Sequence, residues 1–271
     1  MCRILDVRSS GYYAWRKRPV SERELANQQL VLKIKEIHIK SKRCYGVPGV
    51  YQTLRAQGYS CNYKRVERLM RLHNICAKHS KRYKLTTQSQ HPHPVAPNLL
   101  ARNFKAERPN EKWLADITYI PTGEGWLYLA GVLDLHARKL VGWAMGSSLT
   151  SELVCSAFKM AVTHRQPPVG LLHHSDRGSQ YAAQVYQDLL SQHHCQVSMS
   201  RTGNCWDNAP MESFFASLKN ELVHHQDYTT RDQAKSDIFA YIEGFYNRVR
   251  LHSSLDYLSP EQFENAYFRL I

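Results

Sequence analysis

Apolar residues recur along this chain with two different periods, and the change of period divides it. Through residues 1–77 the spacing is helical. Ser21-Glu-Arg-Glu24 reads as a capping box, and Leu30, Ile34 and Ile37 follow it at core spacing. A short helix is expected over residues 50–56, stopped by Gly58, and a third over 63–73 behind the candidate caps Ser60 and Asn62. The third turns Val66, Leu69 and Met70 to one side and Lys64, Arg65, Arg68 and Arg71 to the other. Short helices with a basic outer face suit a helix-turn-helix whose last helix meets a DNA groove, although a generic helical bundle carries the same pattern.

Residues 78–98 lose all periodicity and hold three prolines, so 78–110 reads as a linker. Beyond it the period shortens to two. Residues 113–120 alternate, with Asp116, Thr118 and Ile120 on one face and Ala115, Ile117 and Tyr119 on the other. A turn is expected over 121–125, then strands over 126–134 and 140–145, tightly joined and therefore antiparallel. A helix over 151–164 ends at Pro167-Pro168. A buried strand over 169–176, a helix over 181–191, a strand over 196–200 and a loop over 201–209 lead into a helix carrying Glu212. Three antiparallel strands followed by α-β-α-β-α imply an α/β fold with a mixed sheet covered by helices. A core over 111–226 and a C-terminal helical appendage over 227–271 complete the expected domains. The appendage has its own capping box at Thr230-Arg-Asp-Gln233 and an apolar stripe of Ile238, Tyr241, Ile242 and Phe245, to be packed on the core or on a second subunit.

Charge sharpens this division. The chain has 271 residues and a formal net charge of +13, yet residues 1–110 alone carry +17 and the remainder −4. A basic front joined to a mildly acidic back is the footprint of a polyanion-binding arm on a separate chemical domain. No apolar run approaches the roughly 18 residues of a membrane span. Seven cysteines without a Cys-x-x-Cys pair suggest reduced thiols and a cytoplasmic address. Cys44, Cys61, His73, Cys76 and His79 lack the paired arms of a structural zinc site, and no zinc is expected.

Three acids stand in suggestive contexts. Asp116 interrupts a strand otherwise fit for burial, where a bare carboxylate is costly unless a cation or donor meets it. Asp176 ends an apolar strand, the usual place of α/β active sites. Glu212 opens a helix that buries Phe214, Phe215, Leu218 and Leu222, and Lys219 lies two turns on along the same face. Converging carboxylates suit magnesium, which prefers hard oxygen ligands. Lys219 beside such a cluster suits a substrate phosphate. His173 and His174 read as core or loop histidines, and Asp134 as structural. Asp207 and Asn208 read as caps of the Glu212 helix. The loop holding Gly203 and Trp206 is expected to move on DNA binding, with Trp206 stacking on a base or anchoring the loop. Ser175 and Ser213 are not taken as nucleophiles.

The 35 residues between Asp176 and Glu212, with Lys219 seven further on, resemble the Asp-Asp-35-Glu pattern of retroviral integrases and their bacterial relatives. The phrases Trp113-Leu-Ala-Asp-Ile-Thr-Tyr-Ile, His174-Ser-Asp-Arg-Gly-Ser-Gln-Tyr181, Trp206-Asp-Asn-Ala-Pro-Met-Glu-Ser-Phe-Phe215 and Phe245-Tyr-Asn-Arg are similar to the second-frame transposases of insertion-sequence family three. That resemblance runs through almost the whole chain, including Tyr45-Gly46 and the basic helix at 63–73.

The resemblance implies a ribonuclease-H-like core, two magnesium or manganese ions held by Asp116, Asp176 and Glu212, and phosphoryl transfer on DNA. Two ions about 3.5 to 4 Å apart can stabilise both the attacking and the leaving oxygen of an in-line displacement. Double-stranded DNA, both element terminal repeats and target, would be the partner of a homo-oligomer in a synaptic complex. The rival readings are another nuclease on the same core and a non-catalytic DNA-binding regulator descended from a transposase. Family members usually act as a frameshift fusion whose upstream portion carries a helix-turn-helix and a leucine zipper. This chain begins at Met-Cys-Arg-Ile and shows no heptad run, so on its own it is expected to bind terminal repeats poorly.

Overall fold

The computed structural model describes residues 4, 7–78, 96–201 and 205–270. They fall into two compact units, Met1–Ala77 and Lys78–Ile271. The linker expectation over 79–95, His79 and Gly203 lie outside the described residues.

The first unit holds α1 (Ser9–Lys17), α2 (Glu22–Lys40), α3 (Val47–Ala56) and α4 (Tyr63–Leu72). Ser21 caps α2 by accepting from the Glu24 amide, and Asn62 caps α4 by accepting from that of Arg65. Ile34, Val50, Leu54, Val66, Leu69 and Met70 close a small core between α2, α3 and α4. α1 buries none of its residues.

The second unit is built on one five-stranded sheet in the order β3-β2-β1-β4-β5. The strands are β1 (Lys112–Thr122), β2 (Gly125–Asp134), β3 (Lys139–Gly146), β4 (Leu172–Ser175) and β5 (Gln196–Met199). β1, β2 and β3 are antiparallel neighbours, while β4 and β5 join in parallel. Helix α5 (Ser151–Arg165) crosses from β3 to β4 and packs Val154, Ala157, Phe158 and Ala161 on Trp113, Ala115 and Val132. The contact is close because Gly142 has no side chain. A Cβ there would lie 2.3 Å from the Ala157 carbonyl oxygen and 2.6 Å from the Ala161 Cβ.

The structure departs from the expected elements in three places. β1 runs on through Pro121, which the sequence assigns to a turn. Proline is tolerated because β4 ends at Ser175, opposite Ala115, so β1 has no partner on that side further along. β4 starts at Leu172 rather than 169, since Gly170 takes a positive φ of 87° and turns the chain. The single helix expected over 181–191 is split into α6 (Ser179–Ala182) and α7 (Gln184–Gln192) by an extended Ala183. The Gln187 side-chain amide donates to the Tyr181 carbonyl across the break.

Helix α8 (Ala209–Glu221) follows a 3-10 turn at Cys205–Asn208. The remainder packs back on the sheet: α9 (Arg231–Tyr241), a π-turn over Ile242–Tyr246 and α10 (Pro260–Phe268). Asn247 accepts from the Leu140 amide and donates to its carbonyl, both at 3.0 Å. Arg165 bridges Asp134 and Glu264, and Lys139 reaches Glu264 at 2.6 Å. Asp134, which also accepts from the amides of Asn110 and His136, is thus structural. Residues 96–104, linker by composition, lie along β5 instead. Leu100 is buried, and the Ser198 hydroxyl accepts from the amides of Leu99 and Leu100.

Gly142→Ala should lower stability by about 1 to 3 kcal/mol, the usual cost of overpacking a tight core. A urea titration would show this as a lower midpoint with an unchanged slope.

Candidate active site

The parallel pairing of β1 and β4 decides where two of the three acids fall. Ala115 is registered against Ser175, so the next residue on each strand, Asp116 and Asp176, stands at the point where β4 stops and β1 continues. A notch opens there at the sheet's middle. Helix α8 reaches it because Gly131, opposite Asp116 on β2, leaves room for Met211 and Phe215. Glu212, between those two, thereby lines the same cleft as Asp116 and Asp176. That cleft has a volume of about 630 Å³ and includes Tyr119, Tyr128, Tyr181 and Phe215 in its walls.

The electrostatics show that the acids sense one another. Burial, then the Asp176 carboxylate, hold the Asp116 carboxyl well above the usual carboxylate range, with Glu212 adding to the effect. The Ile117 amide, donating to Asp116 Oδ1 at 2.8 Å, and Lys219 pull the other way. Burial raises Glu212 as well. Lys219 is lowered by burial and supported by Asp116, and its Nζ sits 4.8 Å from the centre of the Tyr119 ring.

The carboxylates line one cleft without forming a closed ligand shell. Among the described residues no three His, Cys, Asp or Glu side chains are gathered tightly enough to hold an ion. Local amides take oxygens of the two aspartates instead: Ile117 for Asp116, and Gly178, at 2.8 Å, for Asp176. The set nevertheless fits a hard divalent cation: three carboxylates around one cleft, with half-buried Asp116 reluctant to ionise beside its neighbours. The Tyr181 hydroxyl, buried at the same cleft, has no hydrogen-bond partner.

Several neighbours play parts the sequence misassigns. Asp207 and Asn208 do not cap α8, whose N-terminus makes no side-chain cap bond. Asp207 is fully buried and accepts from Arg102, Arg201 and the Asn98 side-chain amide, which holds its carboxyl far below the usual range. Asn208 donates to the Ala115 carbonyl at 3.2 Å, fastening the start of α8 to β1 one residue before Asp116. A polar pair before a proline reads as a cap in any sequence, and only tertiary placement reveals the clamp. Trp206 is 67% exposed. His173 and His174 are core groups. His173 Nε2 lies 3.0 Å from the Tyr186 hydroxyl, His174 bridges Ser198 and Ser200, and burial pushes the two down to about 3 and about 4.

In the first unit Lys64, Arg68 and Arg71 are exposed on α4. Arg65 is tied down, its Nε donating at 3.0 Å to buried Asn27 of α2. No helix among the described residues is long and apolar enough to cross a membrane.

Known proteins are similar to this chain. Family models described as an integrase core domain match residues 106–205 and 212–268, and one described as an HTH-like domain matches residues 24–83. An uncharacterized 31 kDa protein of insertion element IS600 from Shigella sonnei is 44% identical over 270 residues, covering 100% of this chain and 99% of the relative. The transposase InsF of insertion sequence IS3A from Escherichia coli K12 is 43% identical over 267 residues, covering 98% and 93%. Among solved structures, a chain of the simian T-cell lymphotropic virus intasome, in complex with a PP2A regulatory subunit, aligns with a TM-score of 0.50 at 16% identity. It covers 86% of this chain and 74% of that one, a likeness of ribonuclease-H-like fold. By whole-length identity to these relatives, with integrase-core and HTH-like regions in the matching order, the chain belongs to the IS3 family of insertion-sequence transposases.

Proposed function

We infer that this chain is a DNA transposase that cleaves at the ends of its insertion sequence and joins them to a target, with Asp116, Asp176 and Glu212 as its catalytic acids and metal ligands. The observation that carries the assignment of residues is the β1–β4 register, which sets Asp116 beside Asp176 in the cleft that Glu212 lines. Magnesium or manganese, as two ions, would be held by these three carboxylates. Such ions supply positive charge against the phosphate oxygens and a more acidic bound water. The chain's own residues do the rest. Asp116 and Asp176 fix the position of the reacting phosphate, Glu212 closes the set from α8, and Lys219 meets a non-bridging phosphate oxygen.

In cleavage a water oxygen bonds to phosphorus as the bond to the element's 3′ oxygen breaks, and that oxygen leaves as a hydroxyl. In joining, this hydroxyl bonds to a target phosphorus while the target's own 3′ oxygen departs with the proton. One phosphodiester is exchanged for another, so joining needs no energy source and no protein nucleophile. DNA would be gripped by Lys64, Arg68 and Arg71 on the exposed side of α4, with Arg65 fixing the helix to α2 as well as adding charge. Two element ends imply a homo-oligomeric synaptic complex, acting at the bacterial nucleoid in the cytoplasm. An upstream-frame protein, separate or fused, completes terminal-repeat recognition.

Asp116→Asn, Asp176→Asn and Glu212→Gln should each abolish cleavage and joining of element-end DNA while leaving DNA binding within about twofold. Joined product from any one of them under magnesium would overturn its assignment. The raised Asp116 carboxyl must lose its proton to bind a cation. Ion affinity therefore rises with pH and falls as pH drops through the Asp116 value. Calorimetry in two buffers of different ionisation heat should register proton release on magnesium or manganese binding, and Asp116→Asn should remove it. Phosphate contacts release counterions, so replacing Lys64, Arg68 and Arg71 together by Ala should make the log–log salt slope of DNA binding shallower by about 3. An unchanged slope in a salt titration would take α4 off the DNA.

A further inference from the structure

One exposed aromatic group beside the cleft is not used by the chemistry above. Trp126 opens β2 and is 49% exposed. Exposed tryptophans are common enough to need no explanation when they stand alone. This one does not. Its ring packs edge-on against Tyr119, with centroids 5.0 Å apart and planes at 76°. Tyr119 is paired across the hairpin with Tyr128, and both line the cleft with the three acids. Tyr119 also carries the Lys219 ammonium over its ring.

The backbone beneath the group is fixed. Arg231 donates from Nε to the Trp126 carbonyl at 3.1 Å and from its own amide to the Glu124 carboxylate at 2.8 Å. The Gly123 amide donates to the Tyr228 carbonyl at 2.8 Å. The turn is thus pinned at three points, and the Tyr119 ring is the neighbour that meets the indole. The sequence between the two tyrosines, with its glycines and proline, would otherwise describe a mobile hairpin tip.

We propose that Trp126, braced edge-on by Tyr119, is a stacking platform for one unpaired nucleobase of the element-end DNA, the base next to the phosphate held at the acids. This rests on the transposase reading and goes beyond it, because it names a base-contacting subsite. The occupant follows from the surroundings. A flat aromatic face suits any base and reads no sequence, and the lysine beside it attracts the backbone phosphate that a base carries with it. A polypeptide partner would gain nothing from adjoining three carboxylates and a phosphate-seeking lysine. Lifting a terminal base out of the duplex also frees its phosphodiester to approach the acids.

The test uses the full chain and duplexes carrying the element's terminal repeat, with 5-iododeoxyuridine at each of the last three nucleotides of either strand in turn. Irradiation in calcium, which leaves the DNA uncut, should give a crosslink that peptide mass spectrometry maps to Trp126 or Tyr119. Crosslinks confined to Trp206 or to the basic helix would overturn the proposal, as would labelling of Trp126 by a second copy of the chain. In turnover with magnesium, an abasic site at the crosslinking nucleotide should slow joining by about 5- to 100-fold in the unaltered chain. Trp126→Ala should lose a similar factor and no more when the base is also missing, whereas Trp126→Phe should keep most activity. Equal responses of the unaltered chain and Trp126→Ala to every abasic position would refute the platform. If no DNA is joined under any metal even with the upstream-frame protein supplied, the transposase reading fails, while the crosslink still decides the base contact.

Discussion

Four residues of parallel pairing between β1 and β4 hold the cleft together. Because a parallel register is set by the strands' buried side chains, sliding it by one position would turn His173 out of the core and carry Asp176 away from Asp116. The packing of Phe158, His173 and Tyr186 against one another guards that register, with ring centroids 5.4 to 6.0 Å apart. Burial keeps His173 and His174 neutral beneath the strand end that leads to Asp176, so they add no charge to that end of the sheet. Strength in the hydrophobic layer and chemistry at the notch are two outcomes of the same short strand.

Bringing the third acid in requires a different device. Glu212 stands on a helix that arrives from a loop. The loop's end is secured by Asp207, whose carboxylate gathers Arg102, Arg201 and Asn98. The carboxylate is buried while both guanidiniums stay about half exposed, so the desolvation cost falls on Asp207. Asn208 then ties the helix start to the strand that bears Asp116. The acids thus sit on rigid elements while the joint between them is polar, which suits a site that must close on a ligand by small side-chain rotations.

Much of this was legible in the chain. Alternation gave the antiparallel strands, and helical spacing with Ser21, Asn62 and Thr230 as caps gave the helix starts that the structure contains. Asp116 stood out because charge inside an apolar strand needs a reason, Asp176 because it ends such a strand, and Glu212 because it opens an apolar helix. What could not be read is tertiary in origin. Ala183 breaks a helix with no local signal, Arg65 serves α2 as well as the surface, and Asp207 and Asn208 look like caps because their use lies some 100 residues away. The aromatic group at Trp126 was equally silent, since nothing in a one-dimensional pattern tells a pinned turn from a loose one.

Each rim of the sheet is covered at one point. Asn247 takes both backbone groups of Leu140 on β3, and the Pro97 carbonyl accepts from the Met199 amide on β5. Another chain's strand aligning on either border would first have to displace these bonds.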